Sequence, residues 1–301
     1  MPVAVLAMLV HIQYFVALDW CLENQVDRPN QLEAWCSRSM SEENHSAEDD
    51  SRELGPLSKG SPSKKKIRRR KAARLLVLLG YTILVAIGLS VALVICLRWI
   101  PPPTSAFMTE RYIGGLWRGE HQNPIRYSWV GWKSISPQVP LAVIAAEDQR
   151  FPFHWGFDFE SISDAMRENK TRDRPRGAST ITQQVAKNLF LWSGQSYVRK
   201  GLEAYFTVLL ELLWPKKRIL EVYLNIAEFG DGTYGVNAAA RSLLGKSPSN
   251  LTAWEAALLG SVLPNPDRFK VVSPSPYVIE RALWIQEQME QLGGVDYLGN
   301  L

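Results

Sequence analysis

Ala145-Ala-Glu-Asp-Gln-Arg-Phe-Pro-Phe-His-Trp-Gly-Phe-Asp158 places two adjacent acids, Glu147 and Asp148, at the end of an apolar run over residues 141–146, and follows them with aromatics, His154 and Gly156. A carboxylate held against apolar surface is penalised when charged, so its pKa rises toward the range in which it accepts a proton from a substrate hydroxyl. Glu147 is therefore a candidate general base. A solvated helix end presents the same pair of acids, and this stretch alone does not separate the two readings. The downstream sequence does.

Three further blocks follow. Arg176-Gly-Ala-Ser-Thr-Ile-Thr-Gln-Gln-Val-Ala-Lys-Asn-Leu-Phe190 comes first, then Arg199-Lys-Gly-Leu-Glu203 opening a helical stretch, then Lys216-Lys-Arg-Ile-Leu-Glu-Val-Tyr-Leu-Asn-Ile-Ala-Glu-Phe-Gly230. In Thr180-Ile-Thr-Gln183 the spacing fits a capping box, and a helix starting there would offer free N–H groups to an anion while Gln184 and Lys187 share one face. On a helix Arg199 and Glu203 are about 40° apart and Lys200 lies about 60° to the other side, so the Glu203 carboxylate projects between two cations. A solvated ion pair is the simpler account of that spacing taken by itself.

In this order and spacing the four blocks resemble the peptidoglycan glycosyltransferases, enzymes that polymerise lipid II into glycan strands. The resemblance covers residues 129–294. The chain ends soon afterwards, with no room for the transpeptidase domain that two-function members append, so the monofunctional biosynthetic form is the expected one. Helical signals over residues 141–146, 159–168, 180–191, 197–213, 216–228, 236–244, 251–263 and 277–292, with little strand alternation, predict a mainly α domain. The resemblance implies a lysozyme-like fold for it, with Glu147 and Glu203 as the catalytic carboxylates. It implies substrate binding by Asp148, Phe151, His154, Gly177, Ser179, Thr180, Gln183, Gln184, Lys187, Arg199 and Lys200. His154, read by itself, is a structural hydrogen-bonder ordering the loop after Glu147. Two roles fit Glu203: binding a divalent ion, Mg2+ or Mn2+, on the substrate diphosphate, or fixing Arg199 and Lys200 against it. No tightly bound cofactor is expected. Glu221 and Asn225 are expected to support the cleft wall, and the basic segment 169–176 to form a mobile lid.

The implied reaction is inverting transfer of a lipid-diphosphate-linked strand to the 4-hydroxyl of an acceptor sugar. Diphosphate is a good leaving group and calls for cations more than for an acid, whereas a glycan-cleaving enzyme must protonate a poor leaving oxygen. A lytic or hydrolytic enzyme of similar fold is the rival within enzymes, and an inactive membrane-tethered scaffold the rival outside them.

Residues 75–97 carry no charge over 23 positions and are apolar on every face, which suits a bilayer-spanning helix. Eight cations precede it, in Lys64-Lys-Lys-Ile-Arg-Arg-Arg-Lys71 and Arg74. They hold the N-terminal flank in the cytoplasm, put residues 98–128 and the catalytic domain on the outer, periplasmic face of a bacterial inner membrane, and favour an anionic leaflet as partner. Lipid II, the nascent strand and other cell-wall synthesis and division proteins are the remaining expected partners; nucleic acid is not, because no aromatic-basic surface motif follows the cluster. Cys21, Cys36 and Cys96 all lie before or within the span, so the outer domain needs neither disulfide nor thiolate. With only His121 and His154 beyond it, no His pair for a catalytic metal is present. Residues 1–63 read as a disordered or mis-started extension with Met40 as the expected start, and 295–301 as a tail.

Overall fold

The structure, a computed structural model, describes residues 64–118, 125–168 and 179–301. The expectations for residues 1–63, for the 169–176 lid and for Gly177 lie outside the described residues. A helix, α1 (Lys64–Leu97), contains the one described segment long and apolar enough to cross a membrane, Arg74–Leu97. The chain divides into two compact units, the first ending at Ser90 within this helix and the second running from Val91 to Leu301.

Helices dominate the second unit. In chain order they are α2 (Ala106–Arg118), α3 (Gln138–Glu147), α4 (Phe159–Glu168), α5 (Ile181–Phe190), α6 (Tyr197–Leu213), α7 (Lys216–Ile226), α8 (Val236–Leu244), α9 (Ala253–Val262) and α10 (Pro276–Gln291), followed by a 3-10 segment, Gly294–Asn300. The mainly α expectation is met. Two features were not expected. One is α2 itself, within the stretch read as a juxtamembrane segment; the other is a small sheet of β1 (Arg126–Tyr127), β2 (Glu228–Gly230) and β3 (Thr233–Tyr234), in the order β1-β3-β2. β1 runs parallel to β3, with Tyr127 opposite Tyr234, and β2 antiparallel to it.

The core forms around α3. Every residue from Val139 to Ala145 is buried, because this helix is apolar all round and packs against both α9 and α10. A second layer packs α5 between α6 and α7. Residues 91–97 join this unit at their carbonyls: the Trp214 indole N–H donates to Val94 at 2.7 Å and the Arg218 guanidinium to Leu97 at 2.8 Å. Since the last carbonyls of a helix lack partners within it, these bonds satisfy groups that would otherwise be left over.

Asn225 ties α7 to the entrance of the domain. Its amide donates to the Val130 carbonyl at 3.0 Å and accepts from the Val130 N–H at 2.8 Å, while Glu221 accepts from the Trp132 N–H at 2.8 Å. Both residues expected to support the wall thus brace segment 130–132. The turn into α8 passes close by. Gly235 adopts φ +80°, and a Cβ there would lie 2.5 Å from the Asn225 carbonyl oxygen. Gly235→Ala combines a disfavoured backbone with a clash against main chain, so it should destabilise the domain by about 2–4 kcal/mol. Thermal melting should report a fall of several degrees; a parental melting temperature would show that the turn relaxes freely.

Candidate active site

Glu147 is the last residue of the buried helix α3, where the apolar run delivers it to a cleft of about 350 Å³. The side chain keeps 15% of its surface open to solvent. From α5, the Gln184 amide donates to Glu147 Oε2 at 2.8 Å, and the Tyr223 hydroxyl donates to the other end of that amide at 3.1 Å. This chain fixes which way Gln184 points. Arg281, from α10, brings Nη2 to 3.9 Å from Glu147 Oε1. Burial pushes the Glu147 carboxyl above the ordinary range, against the pull of Gln184, Arg281 and Lys187 and with a further push from Asp148.

Asp148 turns the other way. Its carboxylate accepts from His154 Nε2 at 2.9 Å and from the Ile181 N–H at 3.0 Å. Ile181 is the first residue of α5, so its N–H has no partner in the helix. The capping box is present: Thr180 Oγ1 accepts from the Gln183 N–H, and the Gln183 side chain accepts from the Thr180 N–H. Thr180 also donates to the Gly156 carbonyl at 2.6 Å, and Gly156, at φ +75°, leaves no space for a Cβ against Thr207. These bonds narrow one expectation. At the start of α5, Asp148 and Thr180 already engage the N–H groups of Ile181 and Gln183, so those two are not free for an anion.

Of the residues expected to touch substrate, Phe151 and Gln183 are buried and support the site from behind. Lys216 packs its ammonium 4.6 Å from the centre of the Phe151 ring, donates to the His154 carbonyl at 2.6 Å and pairs with Glu211 at 2.8 Å. Thr182 donates to the same Glu211 oxygen at 2.6 Å, so the loop after Glu147 is anchored to α5, α6 and α7 together. His154 has the structural role its position suggested. Asp148 and Thr180 border the cleft with their polar groups engaged, while Ser179 borders it exposed.

Three cations, Lys187, Arg199 and Lys200, group around Glu203 near Glu147. Lys187 lies one turn beyond Gln184 on α5; burial pulls its pKa down, while Glu203 and Glu147 raise it and Arg199 and Lys200 lower it further. On α6, Glu203 projects between two cations as the spacing predicts: Arg199 Nη1 bonds one oxygen at 2.9 Å and Lys200 Nζ bonds the other. Glu203 is 3% exposed. Lys200, in contrast, leaves 52% of its side-chain surface open, and Arg199 Nε is buried without a protein partner. Neither Lys187 nor Arg199 lines the 350 Å³ cleft. Glu147 therefore borders the cleft and also lies within electrostatic reach of Lys187, which in turn feels Glu203, Arg199 and Lys200.

Among the described residues, Glu228, Asp231 and Asp267 bring carboxylate oxygens within 4.8 Å of one another, but Arg111 already pairs with Glu228 at 3.1 Å and with Asp231. Arg281, Tyr223 and Lys216 were not read as site residues from the sequence. Their place in the site comes from tertiary contacts with other helices, and none carries a local signature of that contact.

A family model described as Transglycosylase matches residues 117–290. Proteins named biosynthetic peptidoglycan transglycosylase are similar over most of their length. That of Pseudomonas fluorescens is 52% identical over 212 residues, covering 70% of this chain and 88% of the relative. That of Stutzerimonas stutzeri is 52% identical over 224 residues, covering 74% and 92%. That of Pectobacterium carotovorum is 52% identical over 218 residues, covering 72% and 89%. With a family match over more than half of its length and such relatives beside it, this chain belongs to the transglycosylase family.

Proposed function

We propose that the protein polymerises lipid II into peptidoglycan strands by inverting transfer at the outer face of the inner membrane, anchored by Arg74–Leu97. The observation that carries the reading is the position of Glu147, a carboxylate of raised pKa lining a cleft, with Lys187 of the three-cation cluster acting on it. The acceptor sugar of lipid II occupies the cleft, and Glu147 removes the proton of its 4-hydroxyl as that oxygen attacks the anomeric carbon of the growing strand. The bond from that carbon to the diphosphate breaks, and Lys187, Arg199 and Lys200 stabilise the charge left on the lipid diphosphate. The cationic flank before the membrane helix supports a cytoplasmic N-terminus.

The surroundings of Glu203 favour the organising role over metal binding. Both of its oxygens are engaged by cations, and Lys187 lies close enough to feel its charge. A divalent ion at that carboxylate would meet three positive charges, so the donor set does not suit one. The same engagement disfavours a hydrolytic reaction, which needs a second carboxyl free to protonate a leaving sugar oxygen. Supplying lipid II and, separately, finished glycan strands tests the choice; consumption of the strands instead of lipid II would refute polymerisation.

Glu147→Gln keeps the shape and removes the base. Turnover should fall by about 10²–10⁴-fold while lipid II binding stays near parental. The same change should alter stability in the opposite direction. Because burial raises the folded-state pKa above the unfolded one, the contribution of Glu147 to stability is fully present below the unfolded value and lost as pH rises through the folded value. Gln carries no such pH-dependent loss. Melting curves should show Glu147→Gln gaining on the parent as pH rises, with the gain fading toward about pH 4. A gap independent of pH would mean that the fold does not raise the pKa of this carboxyl.

Glu203→Gln should act through the leaving group. It releases Arg199 and Lys200 from their shared partner, so the Michaelis constant for lipid II should rise along with the lost rate, and the response to added Mg2+ or Mn2+ should match the parent. Loss of a metal dependence present in the parent would instead make Glu203 an ion ligand.

A further inference from the structure

Tyr297 stands beyond the stretch that the family model matches, on the C-terminal 3-10 segment, yet it reaches the loop that follows Glu147. Its hydroxyl donates to the Gln149 carbonyl oxygen at 2.6 Å, and its ring meets Phe153 edge-on at 6.2 Å between centroids. Burial pushes the phenol upward and the charge of Asp148 adds to that push, while Arg150 pulls it down; the hydroxyl thus keeps its proton and remains a donor.

Several contacts hold the loop over residues 148–153. Asp148 fixes it to α5, Arg150 pairs with Glu160, and Lys216 packs on the Phe151 ring. The Gln149 side chain ties it to the Ala145 carbonyl at 3.2 Å and to Gln288 of α10 at 3.0 Å. Tyr297 adds a hold of a different kind, since it grips the main chain of Gln149 and the ring of Phe153 together. Gln149 and Arg150 line the cleft beside Glu147. A carbonyl that lost its donor would turn toward water, and the wall would move with it.

We propose that Tyr297 is a positioning residue for the base end of the cleft: it holds the 148–153 loop against Glu147, so that the carboxylate meets the acceptor hydroxyl in a fixed, partly desolvated setting. The inference rests on the reading of Glu147 as the base. A small displacement of such a wall has a large effect on rate, because near-attack geometry tolerates little misplacement.

The test compares Tyr297→Phe, which removes only the hydroxyl, with Tyr297→Leu, which also removes the ring contact, in the full chain polymerising lipid II across about pH 5 to 9. For Tyr297→Phe, turnover per folded molecule should fall about five-fold, the loss expected from one hydrogen bond, with the Michaelis constant for lipid II within about two-fold of the parent. Tyr297→Leu should lose more. The acid limb of the turnover profile should also move to lower pH, since water admitted beside Glu147 weakens the burial that keeps its pKa up. The other groups facing that carboxylate, Gln184, Arg281, Lys187, Asp148 and the Tyr223 behind Gln184, are unchanged by either substitution. A merely structural Tyr297 would lower the melting temperature and leave turnover per folded molecule and the acid limb where they were, and that result overturns the proposal. Should Tyr297→Leu fail to fold, Tyr297→Phe decides. Glu147→Gln measured alongside separates the two ideas: if it is active, the base reading and this inference fall together; if it is inactive while both Tyr297 variants behave like the parent, only the positioning role fails.

Discussion

The Asp148 carboxylate joins the end of α3 to the start of α5, and the rest of the site follows from that junction. One oxygen pair receives both the His154 ring and the Ile181 N–H, so a single buried acid orders the loop behind it and caps the helix in front of it. A negative charge at a helix start is favoured by the helix dipole, and charge-assisted bonds are stronger than neutral ones. Each contributes about 1.5–3 kcal/mol, a substantial share of the roughly 5–15 kcal/mol that holds a domain together. With α5 docked in this way, Gln184 comes within 2.8 Å of Glu147 and Lys187 falls within reach of both Glu147 and Glu203. Two neighbouring acids thereby take different tasks from their surroundings: Asp148 is saturated with donors, while Glu147 keeps one amide donor, a distant guanidinium and an open side.

That contrast extends across the site. Burial raises Glu147 and lowers Lys187, so the fold penalises the charge of each, and each moderates the penalty on the other. On α6 the balance differs, because Glu203 sits between cations at bonding distance and its oxygens are fully engaged. Two cations sharing one buried acid leave a net positive charge, of which the half-exposed Lys200 is the accessible part. On the proposed reading, an anionic leaving group beside these cations would complete a charge balance that the protein leaves incomplete.

Much of this was legible in the sequence where the interaction is local. The capping box of Thr180 and Gln183, the Gln184 and Lys187 face, and the Arg199-Lys200-Glu203 triad are all spacings of three or four residues on one helix, and helical geometry converts such spacings into contacts. The helices of the domain were readable from apolar periodicity for the same reason. Long-range partners left no comparable mark. Nothing near Ile181 indicates that its N–H is taken by Asp148, which is why the start of α5 read as offering that group to an anion. Arg281 lies on a helix whose own pattern speaks only of packing. The strands of two or three residues are too short for alternation to register, and Gly114-Gly115 weakens the helical pattern of α2.

The stretch around α2 bears on the cations more than its sequence suggests. Phe107 places its ring 5.4 Å from the Lys187 ammonium, which gives that partly desolvated charge a polarisable face. One turn later, Glu110 accepts from the Ser193 N–H at 2.9 Å and from its hydroxyl at 2.6 Å, and so holds the loop that leads to Ser196, the residue capping α6. A single short helix therefore bonds to α5 at Lys187 and to the approach of α6 just ahead of Arg199 and Lys200. α2 thus adds to the direct packing of α5 on α6 a second link between the helices that carry the cations. At the opposite end of the chain, Tyr297 bears in the same way on the loop beside Glu147. On the proposed reading the four sequence blocks supply the reactive groups, while segments flanking them on either side bear on the spacing at which those groups would act together.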